Sequence, residues 1–145
     1  MAGANITGAI LALWIYVFSI VVFIARLIEK PKLERWGGIL TFLSGIPLLV
    51  LLLTAHKYDR TVLYYIQIGF MLLWIVVAIL VDYIIKLEFR DNLRLVIAYV
   101  VLFFAGTGGM LGVASLAGTG WMTAALVLFF IMAGLAFYQR AKTGK

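Results

Sequence analysis

The chain has 145 residues, of which 66% are hydrophobic and 12% are charged, and its net charge is +6. Soluble domains carry about 25% charged residues, so this composition is typical of a protein that lies almost wholly within a membrane. The basic residues lie in short segments beside apolar stretches and form no basic face, so we expect no nucleic-acid partner. The absence of cysteine excludes disulfides and thiolate chemistry.

Charged residues fall into four short clusters, and the apolar stretches between them exceed the roughly 20 residues needed to cross a bilayer. No polar linker separates two domains, so residues 1–145 are predicted to form one bundle. The expected fold is an all-α polytopic membrane bundle with five transmembrane helices. In chain order, the predicted spans are residues 6–28, 36–55, 61–85, 93–115 and 121–138.

In the second span, Pro47 predicts a kink, because a proline inside a helix frees the carbonyl four residues earlier. Ser44 and Thr41 lie one and two turns before it. Their hydroxyl groups are predicted to satisfy the freed backbone.

The third span carries a polar and aromatic stripe along one helical face. The stripe consists of Arg60, Tyr64, Gln67, Met71, Trp74, Ala78 and Asp82. Polar groups are costly against lipid unless they are paired, so this face is predicted to lie inside the bundle. It could form a pocket, with Gln67 as a hydrogen-bonding group and Trp74 as a wall, or Gln67 could bond another helix. Asp82 is expected to pair with Lys86 one turn later.

Residues 95–139 contain no charged side chain and would extend about 68 Å as one helix, twice the thickness of the bilayer core. This stretch must therefore fold back on itself. The predicted turn is Gly118-Thr119-Gly120, since glycines so closely spaced interrupt helices.

The fourth span presents a face of small residues at helical spacing: Ala105, Gly108, Gly109, Gly112 and Ser115. Gly108 and Gly112 form a GxxxG pair, which lets another helix approach closely. The predicted role of this face is helix packing, within the bundle or between protomers. It could instead leave space for a ligand, with Thr107 as a nearby hydroxyl group.

The basic residues are distributed unequally between the two predicted sides of the membrane. Lys57 and Arg60 lie on one side, and the other ten lie on the opposite side. These ten are Arg26, Lys30, Lys32, Arg35, Lys86, Arg90, Arg94, Arg140, Lys142 and Lys145. The positive-inside rule predicts an external N-terminus and a cytoplasmic C-terminus. We expect anionic lipid headgroups as partners on that cytoplasmic side, in a bacterial or archaeal cytoplasmic membrane.

No nucleophile, base and orienting group occur together, so we do not expect an enzyme. His56 is the sole histidine, and neither a metal site nor a cofactor is expected. No motif identifies a protein family.

Two functional hypotheses remain. The first is a small membrane protein that binds or moves a hydrophobic or amphiphilic molecule within its bundle. The residues predicted to line that site are Tyr64, Gln67, Met71, Trp74 and Thr107. The second is a non-catalytic structural or regulatory subunit that associates with itself or with a larger membrane complex through the glycine face of the fourth span.

Overall fold

The computed structural model describes residues 2–58, 61–81 and 93–143, which are helical apart from short connections. The helices are α1 (Ala2–Leu27), α2 (Pro31–Leu43), α3 (Gly45–Thr54), α4 (Val62–Ile79), α5 (Leu93–Ser115) and α6 (Thr119–Thr143), and Ala55–Tyr58 forms a 3₁₀ turn. Among these residues, five segments are long and apolar enough to cross a membrane, and one of them combines α2, α3 and the 3₁₀ turn. The all-helical architecture with five such segments is therefore confirmed.

Loop one, residues 28–30, ends α1 with a backbone cap. Glu29 has a φ of 55°, and the amide of Lys30 donates to the carbonyl of Ala25 at 2.9 Å. This is a Schellman arrangement, in which glycine normally occupies the left-handed position. Pro31 follows, and proline suits the start of a helix because the first amides have no helical partner. The second span therefore begins earlier than the sequence predicted.

The second span is broken at Ser44, where α2 ends and α3 begins. The Ser44 hydroxyl donates to the carbonyl of Thr41 at 2.6 Å, and the Thr41 hydroxyl donates to the carbonyl of Gly37 at 2.8 Å. Pro47 lies in the first turn of α3, where a missing amide hydrogen leaves no helical bond unmade. The backbone at Ser44 keeps α-helical dihedral angles, so the predicted kink is a local interruption between α2 and α3. The predicted bonding of the carbonyl that Pro47 frees, that of Leu43, is wrong, because both hydroxyls donate to earlier carbonyls.

The long uncharged stretch reverses at the predicted place. α5 ends at Ser115 and α6 begins at Thr119. Gly118 has a φ of +135°, a conformation that residues with a side chain rarely adopt. α6 then continues to Thr143, past residue 138 where the fifth span was predicted to end, and therefore includes the basic residues Arg140 and Lys142.

Helix α1 packs against α2, α5 and α6, and α4 packs between α3 and α5. Three contacts along α1 and α5 show that these helices are antiparallel: Phe23 with Phe103, Tyr16 with Thr107, and Gly8 with Val113. The bundle thus has one half that carries loop one, the end of α4 and the start of α5, here called the loop-one half. The other carries the turn at Gly118 and the starts of α1 and α4, and is called the Gly118 half.

Charge is paired at the edge of the loop-one half. The Arg26 guanidinium lies 2.7 Å from a carboxylate oxygen of Glu34, which ties the end of α1 to the first turn of α2. Lys32, Arg35 and Lys142 are exposed. The predicted pairing of Asp82 with Lys86 lies outside the described residues, as does the end of the predicted third span.

Candidate functional site

The predicted stripe on α4 faces the interior of the bundle. Its buried members are Tyr64, Met71, Trp74 and Ala78, and Gln67 is half-buried. Arg60 and Asp82, at its two ends, lie outside the described residues. The interior placement follows from the packing of α4 between α3 and α5.

In the Gly118 half, Gln67 fills the space that the glycines of α5 leave. A Cβ atom placed on Gly109 would lie 3.1 Å from the Cα atom of Gln67, and one placed on Gly112 would overlap the Gln67 amide group. One turn toward loop one, a Cβ on Gly106 would lie 3.0 Å from the Cα atom of Met71. Because Gly106, Gly109 and Gly112 have no side chain, the backbones of α4 and α5 approach each other closely at these positions.

The other members of the predicted glycine face lie elsewhere. Within the described part of the chain, no atom that could crowd a Cβ on Gly108 lies within 4 Å of it. Ala105 is exposed, and the Ser115 hydroxyl donates to the carbonyl of Gly112 at 2.6 Å. The contact row on α5 therefore runs through Gly106, Gly109 and Gly112, and Gly108 and Gly112 do not act as one contact pair.

Thr107 turns its hydroxyl toward its own helix, donating to the carbonyl of Phe103 at 2.8 Å. Its carbonyl accepts a hydrogen bond from the hydroxyl of Tyr16, a fully buried residue of α1. Sequence reasoning missed Tyr16. The available signal was its position in the middle of the first span, because a buried tyrosine hydroxyl usually needs a partner.

In the loop-one half, Trp74 belongs to a cluster of aromatic rings that four spans contribute. The centroid of its ring lies 4.9 Å from that of Phe103, 6.0 Å from Phe42 and 6.2 Å from Tyr99. Phe23 of α1 lies 6.0 Å from Phe103. We call Phe23, Phe42, Trp74, Tyr99 and Phe103 the Trp74 cluster. Tilted and edge-to-face ring contacts at these separations are favourable.

The indole nitrogen of Trp74 is buried, and within the described residues it has no hydrogen-bond partner. The side chain is only 6% exposed, so lipid headgroups and bulk water do not reach it. By contrast, the indole nitrogen of Trp14 donates to the carbonyl of Leu40 at 2.7 Å. Buried polar groups are normally bonded, so the Trp74 indole is a chemically unusual group among the described residues.

The five residues predicted to line a ligand site do not surround one space. Tyr64 and Trp74 are separated by about 15 Å along α4, since each helical residue adds 1.5 Å. Gln67 and Met71 lie against glycines of α5, and Thr107 bonds its own helix and Tyr16. Only Trp74 lies in the aromatic cluster, with Phe23, Phe42, Tyr99 and Phe103 as partners that the sequence did not single out.

The interior at Trp74 presents apolar aromatic rings and one hydrogen-bond donor that has no partner among the described residues. Indole nitrogen is a donor and cannot accept. Among residues 2–58, 61–81 and 93–143, no group of three histidine, cysteine, aspartate or glutamate side chains is placed to hold a metal ion.

Comparison with known proteins identified no relative: the chain matches no protein-family model, no curated protein sequence and no solved structure. The arguments about function therefore depend on the geometry of the bundle itself.

Proposed function

We propose that this integral membrane protein binds or moves a hydrophobic or amphiphilic small molecule within its helix bundle, and that Trp74 and its cluster form the binding place. The observation that carries the proposal is the buried, unpartnered indole nitrogen at the centre of an aromatic cluster built from four spans. Binding places between the helices of a bundle are common, and they combine apolar walls with a few polar groups.

The physical argument concerns the energy of an unmade hydrogen bond. In an apolar interior, a donor without a partner costs about 1 to 3 kcal/mol, and no lipid tail can supply the missing acceptor. Phenylalanine at position 74 would keep the ring contacts without that cost. A bound molecule with an acceptor would remove the cost and would account for a tryptophan at this position.

The proposal places the N-terminus outside and the C-terminus in the cytoplasm of a bacterium or archaeon, because ten of the twelve basic residues fall on one predicted side. The exposed Lys32, Arg35 and Lys142 would then contact anionic lipid headgroups. The absence of native cysteine permits a clean test. Lys32→Cys should resist a membrane-impermeant maleimide added to intact cells, and Thr119→Cys should be labelled. The reverse labelling pattern would show that the protein has the opposite orientation in the membrane.

The binding proposal is tested by native mass spectrometry of protein extracted gently from its own membrane. We expect the wild-type protein to carry one discrete small molecule, and Trp74→Ala to lose it. Trp36→Ala is the matched control, because Trp36 is 64% exposed on the surface and lies outside the cluster. Equal occupancy in Trp74→Ala and wild type would contradict the proposed site.

A second candidate function is a structural or regulatory subunit that docks through α5. The favouring observation is the open space at Gly108, next to the exposed Ala105. Gly108→Leu is the variant that separates the candidates, because a Cβ atom at position 108 meets no crowding atom within the described bundle. Loss of a fixed oligomer or of a co-purifying subunit in Gly108→Leu, with no bound small molecule in wild type, would favour docking. An unchanged assembly state would exclude this face as the interface.

A further inference from the structure

We propose that the Trp74 cluster selects a neutral, largely apolar molecule with a hydrogen-bond-accepting oxygen, such as a ketone, quinone or ester carbonyl. This inference rests on the proposed function, since it specifies the ligand class of the same site. The decisive group is the indole N–H of Trp74, whose nitrogen is buried without a partner among the described residues.

The direction of the missing bond determines which atom the ligand presents. Indole donates one hydrogen and accepts none, so an alcohol, amide or ether can satisfy it only through its oxygen. An amine in its charged form has donors alone and leaves the indole unsatisfied. The ligand therefore needs an acceptor, and a single carbonyl oxygen is sufficient.

Water satisfies the indole less well than such a ligand. A buried water molecule typically makes about three hydrogen bonds. Phe42 and Phe103 offer it no polar side-chain atom, and Tyr99 is the one ring of the cluster besides Trp74 that carries one. A carbonyl oxygen on an apolar molecule needs one donor, and its hydrocarbon body gains dispersion contacts with the rings.

Charge on the ligand is disfavoured by the surroundings. Arg26, which lies 5.9 Å from the ring centroid of Phe23, is already paired with Glu34 at 2.7 Å. The rings in contact with Trp74 carry no formal charge. An anion at the indole would therefore lose its hydration without gaining an unpaired cation in contact.

Aromatic faces also attract quaternary ammonium groups, so a cationic ligand is the main competing class. The geometry favours the neutral acceptor, because a cation near the indole leaves the N–H unbonded. The two classes are separated by probes with matched hydrocarbon chains.

The test uses full-length protein in lipid nanodiscs with four probes: methyl undecyl ketone, dodecane, dodecanoate and dodecyltrimethylammonium. The compared variants are Trp74→Phe, which keeps an aromatic ring and removes the N–H, and Trp14→Phe, which removes an indole already bonded to Leu40. We expect the ketone to bind Trp74→Phe about 3- to 10-fold more weakly than wild type, the size of one hydrogen bond. Dodecane should bind both equally, and Trp14→Phe should bind the ketone as wild type does.

A second readout follows the indole itself. With tryptophan labelled by nitrogen-15, the Trp74 indole proton resonance should shift downfield on addition of the ketone and stay in place with dodecane. Its assignment comes from the signal missing in Trp74→Phe. The shift itself is measured on the wild-type protein, and the folded Trp74→Phe variant is needed only to assign the resonance.

Each of the remaining outcomes would contradict either the inferred ligand class or the proposed binding function. Ketone binding that is equally strong in Trp74→Phe, without an indole shift, would overturn the acceptor inference and leave the binding function standing. Preferential binding of dodecyltrimethylammonium or dodecanoate would overturn the neutral class in the same way. If none of the four probes binds above its partition into empty nanodiscs, the proposed function fails and the inference fails with it.

Discussion

The two halves of the bundle bring helices together by different means. In the Gly118 half, Gly109 and Gly112 of α5 let the backbone of α4 approach at Gln67, and Gly8 of α1 meets Val113. In the loop-one half, the same α4 and α5 are in contact through the large rings of Trp74 and Phe103. One helix pair therefore passes from backbone proximity to ring packing along its length.

This difference suggests different roles for the two halves: close helix packing in the Gly118 half and the proposed ligand binding in the loop-one half. Within a membrane, close packing of small residues stabilises helix pairs through dispersion, because lipid tails provide no hydrophobic driving force. The Gly118 half is packed in this way, and the polar side chain of Gln67 fills the space beside Gly109 and Gly112. The loop-one half instead holds a polar atom without a partner. We therefore expect the first half to determine stability and the second to tolerate chemical change.

The largest expected effect is at the glycine contacts. Gly109→Ala forces a methyl group toward the backbone of Gln67 and should lower the free energy of unfolding by about 1 to 3 kcal/mol, as overpacked sites do. Gly108→Ala is the matched control, since no crowding atom lies near its Cβ position in the described chain. Denaturation in mixed micelles measures both. Equal losses of unfolding free energy in Gly109→Ala and Gly108→Ala would show that Gly109 is no more tightly packed than Gly108.

The next effect is at the junction of the two halves. Tyr16→Phe removes the hydroxyl that bonds the carbonyl of Thr107, and should cost about 1 to 1.5 kcal/mol, near the upper end for hydrogen bonds between membrane helices. Tyr65→Phe is the control, because Tyr65 is 36% exposed on the lipid-facing side of α4. The same unfolding assay applies. An unchanged unfolding free energy in Tyr16→Phe would mean that this hydrogen bond does not stabilise the contact between α1 and α5.

A smaller contrast compares two tryptophans directly. Trp14→Phe breaks the bond to the carbonyl of Leu40 and should lower unfolding free energy by about 0.6 kcal/mol. Trp74→Phe, without ligand, should leave stability unchanged or raise it, because it removes a buried donor that has no described partner. Greater destabilisation in Trp74→Phe than in Trp14→Phe would show that the Trp74 indole is bonded in the unliganded protein.

The smallest effect is at the edge of the loop-one half. Glu29→Gly should stabilise the protein by about 0.5 kcal/mol, since glycine adopts the left-handed conformation of this cap at lower cost than glutamate. Glu29→Ala removes the same charge and keeps the strained conformation, so its thermal midpoint should not rise. A gain shared by both variants would assign the effect to charge.

The sequence was sufficient to predict the five spans and the reversal at Gly118. Both depend on local properties: a run of apolar residues long enough to cross the bilayer, and glycines that end a helix. The start of α2 was predicted too late, because the predicted span began after the last charged residue of the first cluster, Arg35, whereas the helix begins within that cluster at Pro31. Orientation relative to the cytoplasm remains a prediction from the charges.

The candidate site was predicted only in part. The interior face of α4 followed from helical periodicity, which is a property of one helix. The partners of Trp74 depend on which helices are neighbours, and phenylalanines such as Phe42 and Phe103 look the same in sequence whether they face lipid or the core. For the same reason, spacing alone could not tell whether Gly106 or Gly108 would meet α4.

The pairing of α1 with α6 has a consequence for how the protein is made. Tyr16 of the first helix lies 5.9 Å from the ring of Phe129, a contact between segments more than a hundred positions apart in the chain. During synthesis, α1 leaves the translocon long before α6 exists, so this side of α1 faces lipid or the insertion machinery in the interim. The ring contact between Tyr16 and Phe129 can form only after α6 has been inserted.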